Sequence, residues 1–190
     1  MTTHSCHIES DEFYFCTVTC YKWINLIEIT NLYDHILKWF DILYINKTWI
    51  SGYVIMPNHF HLILYVTRNS QSLNKLIANG KRFMAYEIVN RLKEHGKEQL
   101  LRYLSRSVPI NEKLKNKKHQ IFIPSFDAKV CLSTSMLEKK LDYIHFNPVS
   151  GNWNLVSSFE EYPYSSAKYY EKGEKIRYRW FKDYQEIIGI

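Results

Sequence analysis

The chain has 190 residues and a mass of 22.9 kDa, with 46% hydrophobic and 23% charged residues, a composition that excludes intrinsic disorder and needs no second domain to bury a core. A net charge of +6, a pI of about 9.0 and 15 tyrosines suit a polyanionic partner, with rings available for a core or for stacking bases. The charge is uneven: Arg68 to Lys118 carries 13 Lys and Arg against 4 Asp and Glu, so the rest of the chain is net acidic.

His4, Cys6 and His7 cluster near the N-terminus, where a frayed end makes a poor metal site. The N-terminus shows no apolar signal core, and no long apolar run follows, which predicts a cytoplasmic protein with reduced thiols and no membrane partner. Phe13 to Tyr21 is rich in aromatic and β-branched residues and predicts a strand. Cys16 and Cys20 are ~13 Å apart along such a strand, too far for a disulfide or a shared zinc ion.

Asn31 to Leu43 places apolar residues at three-and-four spacing and predicts an amphipathic helix with Asn31 as N-cap. Trp49 to Ile55 and His59 to Val66 predict two strands joined by the short link Met56-Pro57-Asn58. From Ser72 to about Leu104 the pattern is helical, with Gly80 and Gly96 as candidate breaks. Its apolar side carries Leu73, Leu76, Ile77, Met84, Ile88 and Leu92, while Lys75, Lys81, Arg82 and Arg91 decorate the rest. A basic loop over Lys113 to Lys118 follows, contributing Lys115, Lys117 and Lys118, and His119 to Phe126 predicts a short strand ended by Pro124. These lysines and arginines are the candidate nucleic-acid contacts.

Ser133 or Thr134 can cap a last clear helix that runs to Asn147 and is stopped by Pro148. The core of a single domain over residues 1–190 then spans about 13–150, and a Tyr-rich, loop-like extension covers 151–190. Strands interleaved with helices predict an α+β fold, with helices on an antiparallel sheet.

Two constellations carry chemistry. Alternate residues of a strand share a face, so His59 and His61 present two imidazoles side by side while Phe60 points into the core; such a pair can ligate one divalent ion. Tyr143 and Asn147 are one helical turn apart, so a hydroxyl nucleophile and an amide oxygen emerge together. Tyr162, Tyr164, Tyr169 and Tyr170 lie in the loop-like tail and are poorer candidates for a fixed geometry.

Three motifs in order, Val54-Ile55-Met56-Pro57-Asn58-His59-Phe60-His61, Tyr143-Ile144-His145-Phe146-Asn147-Pro148-Val149 and Tyr162-Pro163-Tyr164-Ser165-Ser166-Ala167, resemble the REP-associated tyrosine transposases. These form a branch of the single-tyrosine HUH transposases, and the resemblance runs from about Phe13 to Tyr170. It implies a ferredoxin-like antiparallel sheet with helices packed on it, His59, His61 and Asn147 as ligands of Mg²⁺ or Mn²⁺, and Tyr143 as the nucleophile. It further implies cleavage and rejoining of single-stranded or hairpin DNA by transesterification through a 5′-phosphotyrosine, by a monomer or homodimer. One phosphoester replaces another, so ATP is not needed, and the sequence has no GxxxxGK loop.

Two departures from the family pattern stand out. Asp11 and Glu12 occupy the place of paired glycines before the first strand, and the stretch before Tyr143 is extended through Pro124-Ser125-Phe126-Asp127. The alternatives are a catalytically silent, sequence-specific hairpin-binding protein derived from a transposase, and a two-histidine metalloenzyme acting on a small molecule. The second would need acidic ligands that the His59 hairpin lacks.

Overall fold

A computed structural model describes residues 11–190. Four strands, β1 (Glu12–Thr19), β2 (Thr48–Ile55), β3 (His59–Val66) and β4 (Asp127–Val130), form one antiparallel sheet in the order β2-β3-β1-β4. The helices are α1 (Leu26–Ile29), α2 (Tyr33–Ile45), α3 (Leu73–Glu94), α4 (Glu98–Arg106), α5 (Ile110–Lys113), α6 (Thr134–Phe146), α7 (Ala167–Lys172) and α8 (Tyr184–Ile188). The crossovers through α2 and α3 make the ferredoxin-like α+β arrangement expected from the sequence. Among the described residues no helix is long and apolar enough to cross a membrane.

The sheet carries helices on both faces. On one face α2 and α3 bury Ile36, Trp39, Phe40, Leu76, Ile77, Met84 and Ile88 against Tyr14, Cys16, Phe60, Leu62 and Leu64. On the other, α6 lays Leu137, Leu141 and Ile144 on Phe13, Phe15, Val54 and Ile63. The central strands are therefore apolar on both sides.

Close approach decides two positions. Gly80 does not break α3 but faces α2, where an added Cβ would stand 2.3 Å from the Trp39 ring. Gly52, at the register shift of β2, lets Leu141 of α6 descend onto the sheet. Gly96 is a true break: its φ of +64° ends the helical run, and α4 starts at Glu98.

Besides Gly80, the structure departs from the sequence reading at three places. Asn31 does not cap α2; it adopts a φ of +47° and the helix starts at Tyr33, after Leu32. Residues 119–126 form no strand beyond an isolated bridge from Phe122 to Cys20, and the fourth strand lies just after them, at Asp127–Val130. The C-terminal segment is not loose. Ile50 N–H donates to Trp180 O and Lys182 N–H to Ile50 O, while Ile55 N–H donates to Tyr164 O and Ser166 N–H to Tyr53 O, so two short segments, 164–166 and 180–182, pair with the outer side of β2. Trp180 is buried against Phe40 and Tyr53. Ser133, in contrast, caps α6 as expected, accepting from Met136 N–H.

Cys16, Cys20 and Cys131 are free thiols, and burial pushes the pKa of each upward, which makes them core residues rather than nucleophiles. His4, Cys6 and His7 lie outside the described residues.

Gly80→Ala is expected to destabilise the protein although Ala is the better helix former by about 1 kcal/mol. The added methyl collides with a ring locked in the core, and overpacking costs about 1–3 kcal/mol. Urea unfolding of the two proteins measures the difference, and a more stable variant would contradict the contact.

Candidate active site

The period-two pleat of β3 sends Phe60, Leu62, Leu64 and Val66 toward α2 and α3, leaving His59 and His61 on the α6 face with Ile63 and Tyr65. The two imidazole centroids are 4.8 Å apart, and both side chains are buried.

Each ring is oriented through Nδ1. His61 Nδ1 is 2.8 Å from the Thr17 hydroxyl, which β1 presents directly opposite it. His59 Nδ1 is 2.7 Å from Asn58 Oδ1. The Asn58 amide nitrogen donates to Trp23 O, so its other end must be the oxygen, and His59 therefore carries its proton on Nδ1. The Asn147 side chain is within hydrogen-bonding reach of the same ring. His61 Nε2 is buried without any hydrogen-bond partner.

Burial holds both imidazoles neutral. The His59 pKa is pushed down to about 4, with the Asn147 hydrogen bond opposing the shift. The His61 pKa falls to about 3, through burial first and then the charges of His59 and Lys140. Neutral rings fixed by hydrogen bonds at Nδ1 are what a metal ligand pair needs. An orphaned buried Nε2, its neighbour and an amide oxygen fit one divalent cation. Among the described residues no group of three or more His, Cys, Asp or Glu is gathered, so the third protein donor would be Asn147.

Tyr143 stands over this pair. Its ring meets His61 edge-on at 5.3 Å and Phe15 at 5.9 Å, and half of the residue is exposed, so the hydroxyl-bearing side chain is both placed and reachable. Trp23 packs edge-on against His59 at 5.4 Å, and the Trp153 ring centroid lies 6.4 Å from that of His59. Tyr162 and Tyr170, in contrast, spend their hydroxyls on Ile55 O and Ser51 O, and burial pushes their pKa values up. Helical spacing had put Tyr143 and Asn147 together, and the structure brings both to the His pair. Sequence reasoning missed Thr17, although alternation with Phe13 and Phe15 places it on the same face, and Asn58, which sits inside the quoted His59 motif. It also gave His145 no role. His145 Nε2 is 2.8 Å from Ser166 Oγ, which accepts from Tyr53 N–H, so this buried histidine ties α6 to β2 and the C-terminal segment.

The basic block lies elsewhere. Arg82, Lys117 and Lys118 line a groove of about 820 Å³ between α3 and residues 112–126, together with Lys81, Lys115 and Tyr86. That groove is on the α3 side of the sheet, opposite the His pair. Lys75 is exposed near the start of α3, outside the groove. Three of the seven candidates have their donors engaged within the chain. The Lys81 ammonium donates to Ile123, Pro124 and Ser125 carbonyls, and burial with Lys117 beside it lowers its pKa to about 8. Arg91 pairs with Glu87 and Asp34 and donates to Thr30 and Asn31 carbonyls. Lys115 is paired with Glu112 at the surface.

No family model and no curated protein matches the sequence. Among solved structures, a REP-associated tyrosine transposase bound to a REP hairpin is 17% identical over 87% of this chain and 82% of that one, with a TM-score of 0.58. A Deinococcus radiodurans chain described as a transposase is 13% identical over 75% of this chain and 95% of that one, with a TM-score of 0.41. The first shares the fold described above; the second is too distant to carry an argument.

The three buried histidines make stability pH-dependent. His59, His61 and His145 have folded pKa values near 4, 3 and 4, below the ordinary 6.5, so the unfolded chain takes up protons first as pH falls. Stability is complete above pH ~6.5 and declines from there toward pH ~4, each histidine withdrawing on the order of 1–2 kcal/mol by pH 5. Urea midpoints in chelator at pH 7.5 and pH 5.0 test this, and equal midpoints would contradict the burial of neutral rings.

Proposed function

We propose that this chain is a single-tyrosine transposase-type nuclease that cuts and rejoins single-stranded or hairpin DNA. The observation that carries the reading is the convergence of a half-exposed tyrosine, on a capped helix, with two buried neutral histidines, one of them with an unpartnered Nε2. The shared fold supports it, since the structure with that fold is a transposase bound to a REP hairpin.

In this mechanism Tyr143 Oη attacks a DNA phosphorus. The new Oη–P bond replaces the P–O3′ bond, giving a 5′-phosphotyrosine and a free 3′-hydroxyl. The phenol loses its proton and the departing oxygen gains one, so the step is neutral overall. Reversal by another 3′-hydroxyl rejoins the strand without ATP. A Mg²⁺ or Mn²⁺ ion held by His59, His61 and Asn147 supplies Lewis acidity to the phosphate oxygens when bound. Thr17 and Asn58 keep the ring nitrogens aimed, and Phe15 with His61 fixes the plane of the Tyr143 ring.

Positive charge on the far side of the sheet supplies affinity rather than chemistry. Residues 119–126 form one wall of the basic groove and lead directly into β4, so a strand held at both places rounds the β4 edge. Arg82, Lys117 and Lys118 are its free phosphate contacts, with Tyr86 available for stacking.

Labelled hairpin oligonucleotides incubated with the protein and Mg²⁺ or Mn²⁺ should yield an adduct that survives denaturation. Tyr143→Phe keeps the ring and should change stability by no more than about 0.5 kcal/mol while forming no adduct. An adduct mapped by mass spectrometry to another tyrosine overturns the assignment. Intact hairpin binding without any adduct identifies the silent binding protein instead.

His59→Ala and His61→Ala should likewise abolish the adduct yet retain most DNA affinity, because attraction to phosphates comes from Lys and Arg. That affinity should fall by several orders of magnitude over a tenfold salt rise if about 4 to 6 phosphates are neutralised. Binding insensitive to salt would exclude the groove as the contact surface.

A further inference from the structure

Lys140 is a cation that the site as described does not use. It lies on α6, three residues before Tyr143 and so on the same face of the helix. Its ammonium stands 4.4 Å from the Phe15 ring centroid and 5.6 Å from that of Tyr143, which pins a flexible side chain between the nucleophile and the sheet. The Phe15 ring beneath it in turn stacks on His61, with centroids 5.4 Å apart.

Place separates Lys140 from an ordinary surface lysine. It is half-buried on the face of α6 that carries Tyr143, and its ammonium lies over Phe15, the ring that also stacks on His61. Among the described residues no carboxylate forms an ion pair with it, so its ammonium is available to an incoming anion. The anion that fits there is the phosphate that Tyr143 attacks.

We propose that Lys140 is a further catalytic residue, whose ammonium receives a non-bridging oxygen of the phosphate attacked by Tyr143 and stabilises the negative charge that builds on it as the Oη–P bond forms. The proposal rests on the transesterification reading above. In it the phosphate lies between the His pair on β3 and the α6 face that carries both Tyr143 and Lys140. Lys140 gains and loses no proton, and no bond to it forms or breaks. Its distance from the groove lined by Lys117 and Lys118, across the sheet, separates the charge that acts on the scissile phosphate from the charges that merely hold DNA.

The test compares the wild type with Lys140→Met, which keeps the apolar stem on Phe15, and Lys140→Arg, which keeps the charge. Adduct formation on a saturating hairpin oligonucleotide should slow by about 100-fold or more in the Met variant. The Arg variant should recover most of that rate. Hairpin affinity should change less than about threefold in either, since one phosphate contact among several is lost. A methylphosphonate at the cleavage position, which removes the charge that Lys140 meets, should penalise the wild type at least tenfold more than Lys140→Met. Should Lys140→Met fail to fold, Lys140→Gln takes its place. A full-rate adduct from the neutral variant, or equal methylphosphonate penalties, overturns the role of Lys140 alone. Absence of any adduct from the wild type overturns the reading beneath it, and the role of Lys140 with it.

Discussion

The alternation of side chains along β3 is the constraint on which the rest of the molecule depends. One row, Phe60, Leu62, Leu64 and Val66, belongs to the core under α2 and α3; the other begins with His59 and His61 under α6. A slip of one residue would bury the imidazoles in the larger core and turn four apolar side chains toward the site. The tight link at Pro57-Asn58 guards against that slip, with Met56 N–H donating to His59 O to close the hairpin. The same register sets Thr17 opposite His61, so the hydrogen bond that aims the ring follows from strand pairing and not from a separate device.

From this placement comes the division of labour between the two faces. The α2 and α3 face is closed by aromatic packing, Trp39 on Phe60 and Phe40 on Trp180, and carries most of the apolar burial. The α6 face is thinner and ends in polar groups. Leu141 comes down where Gly52 has no side chain, which lowers the helix enough for Tyr143 to reach His61 with its ring edge. His145, on the opposite side of the same helix turn, is bound to Ser166 and cannot exchange roles with the histidines of β3. The helix is thus held in height by a glycine and in rotation by a buried hydrogen bond, and both act on where one phenol stands.

Much of this was legible in the sequence, for reasons that the structure makes plain. The strands around His59, the apolar side of α3 and the last helix are periodic, and period translates directly into a buried face. Tyr143 and Asn147 share a helical turn, and so their convergence required no knowledge of the sheet. What was not legible depends on partners far away in the chain. Asn31 has the residue type of an N-cap but takes a left-handed φ, its carbonyl accepting from Arg91 sixty residues on. Lys81 has the pattern of a solvated cation but is consumed by the carbonyls of residues 123–125. The strand at Asp127–Val130 is only four residues long and half exposed, too short for alternation to show. The C-terminal tyrosines looked like a tail because their order comes from hydrogen bonds to β2 backbone, a pairing with no local signature.

The course of that C-terminal segment bears on how the molecule behaves among other chains. A four-stranded sheet has two borders, and a long bare border is a template on which foreign strands can polymerise. Here the β2 border has Ile50, Tyr53 and Ile55 amides and carbonyls already bonded to groups of residues 162–182. The β4 border is four residues long and turns Asp127 and Lys129 outward in alternation, so an incoming strand would meet charge at every second position. In a chain with ten phenylalanines, fifteen tyrosines and five tryptophans, the sheet thus offers an incoming strand one border occupied by the chain's own backbone and one short, charged rim.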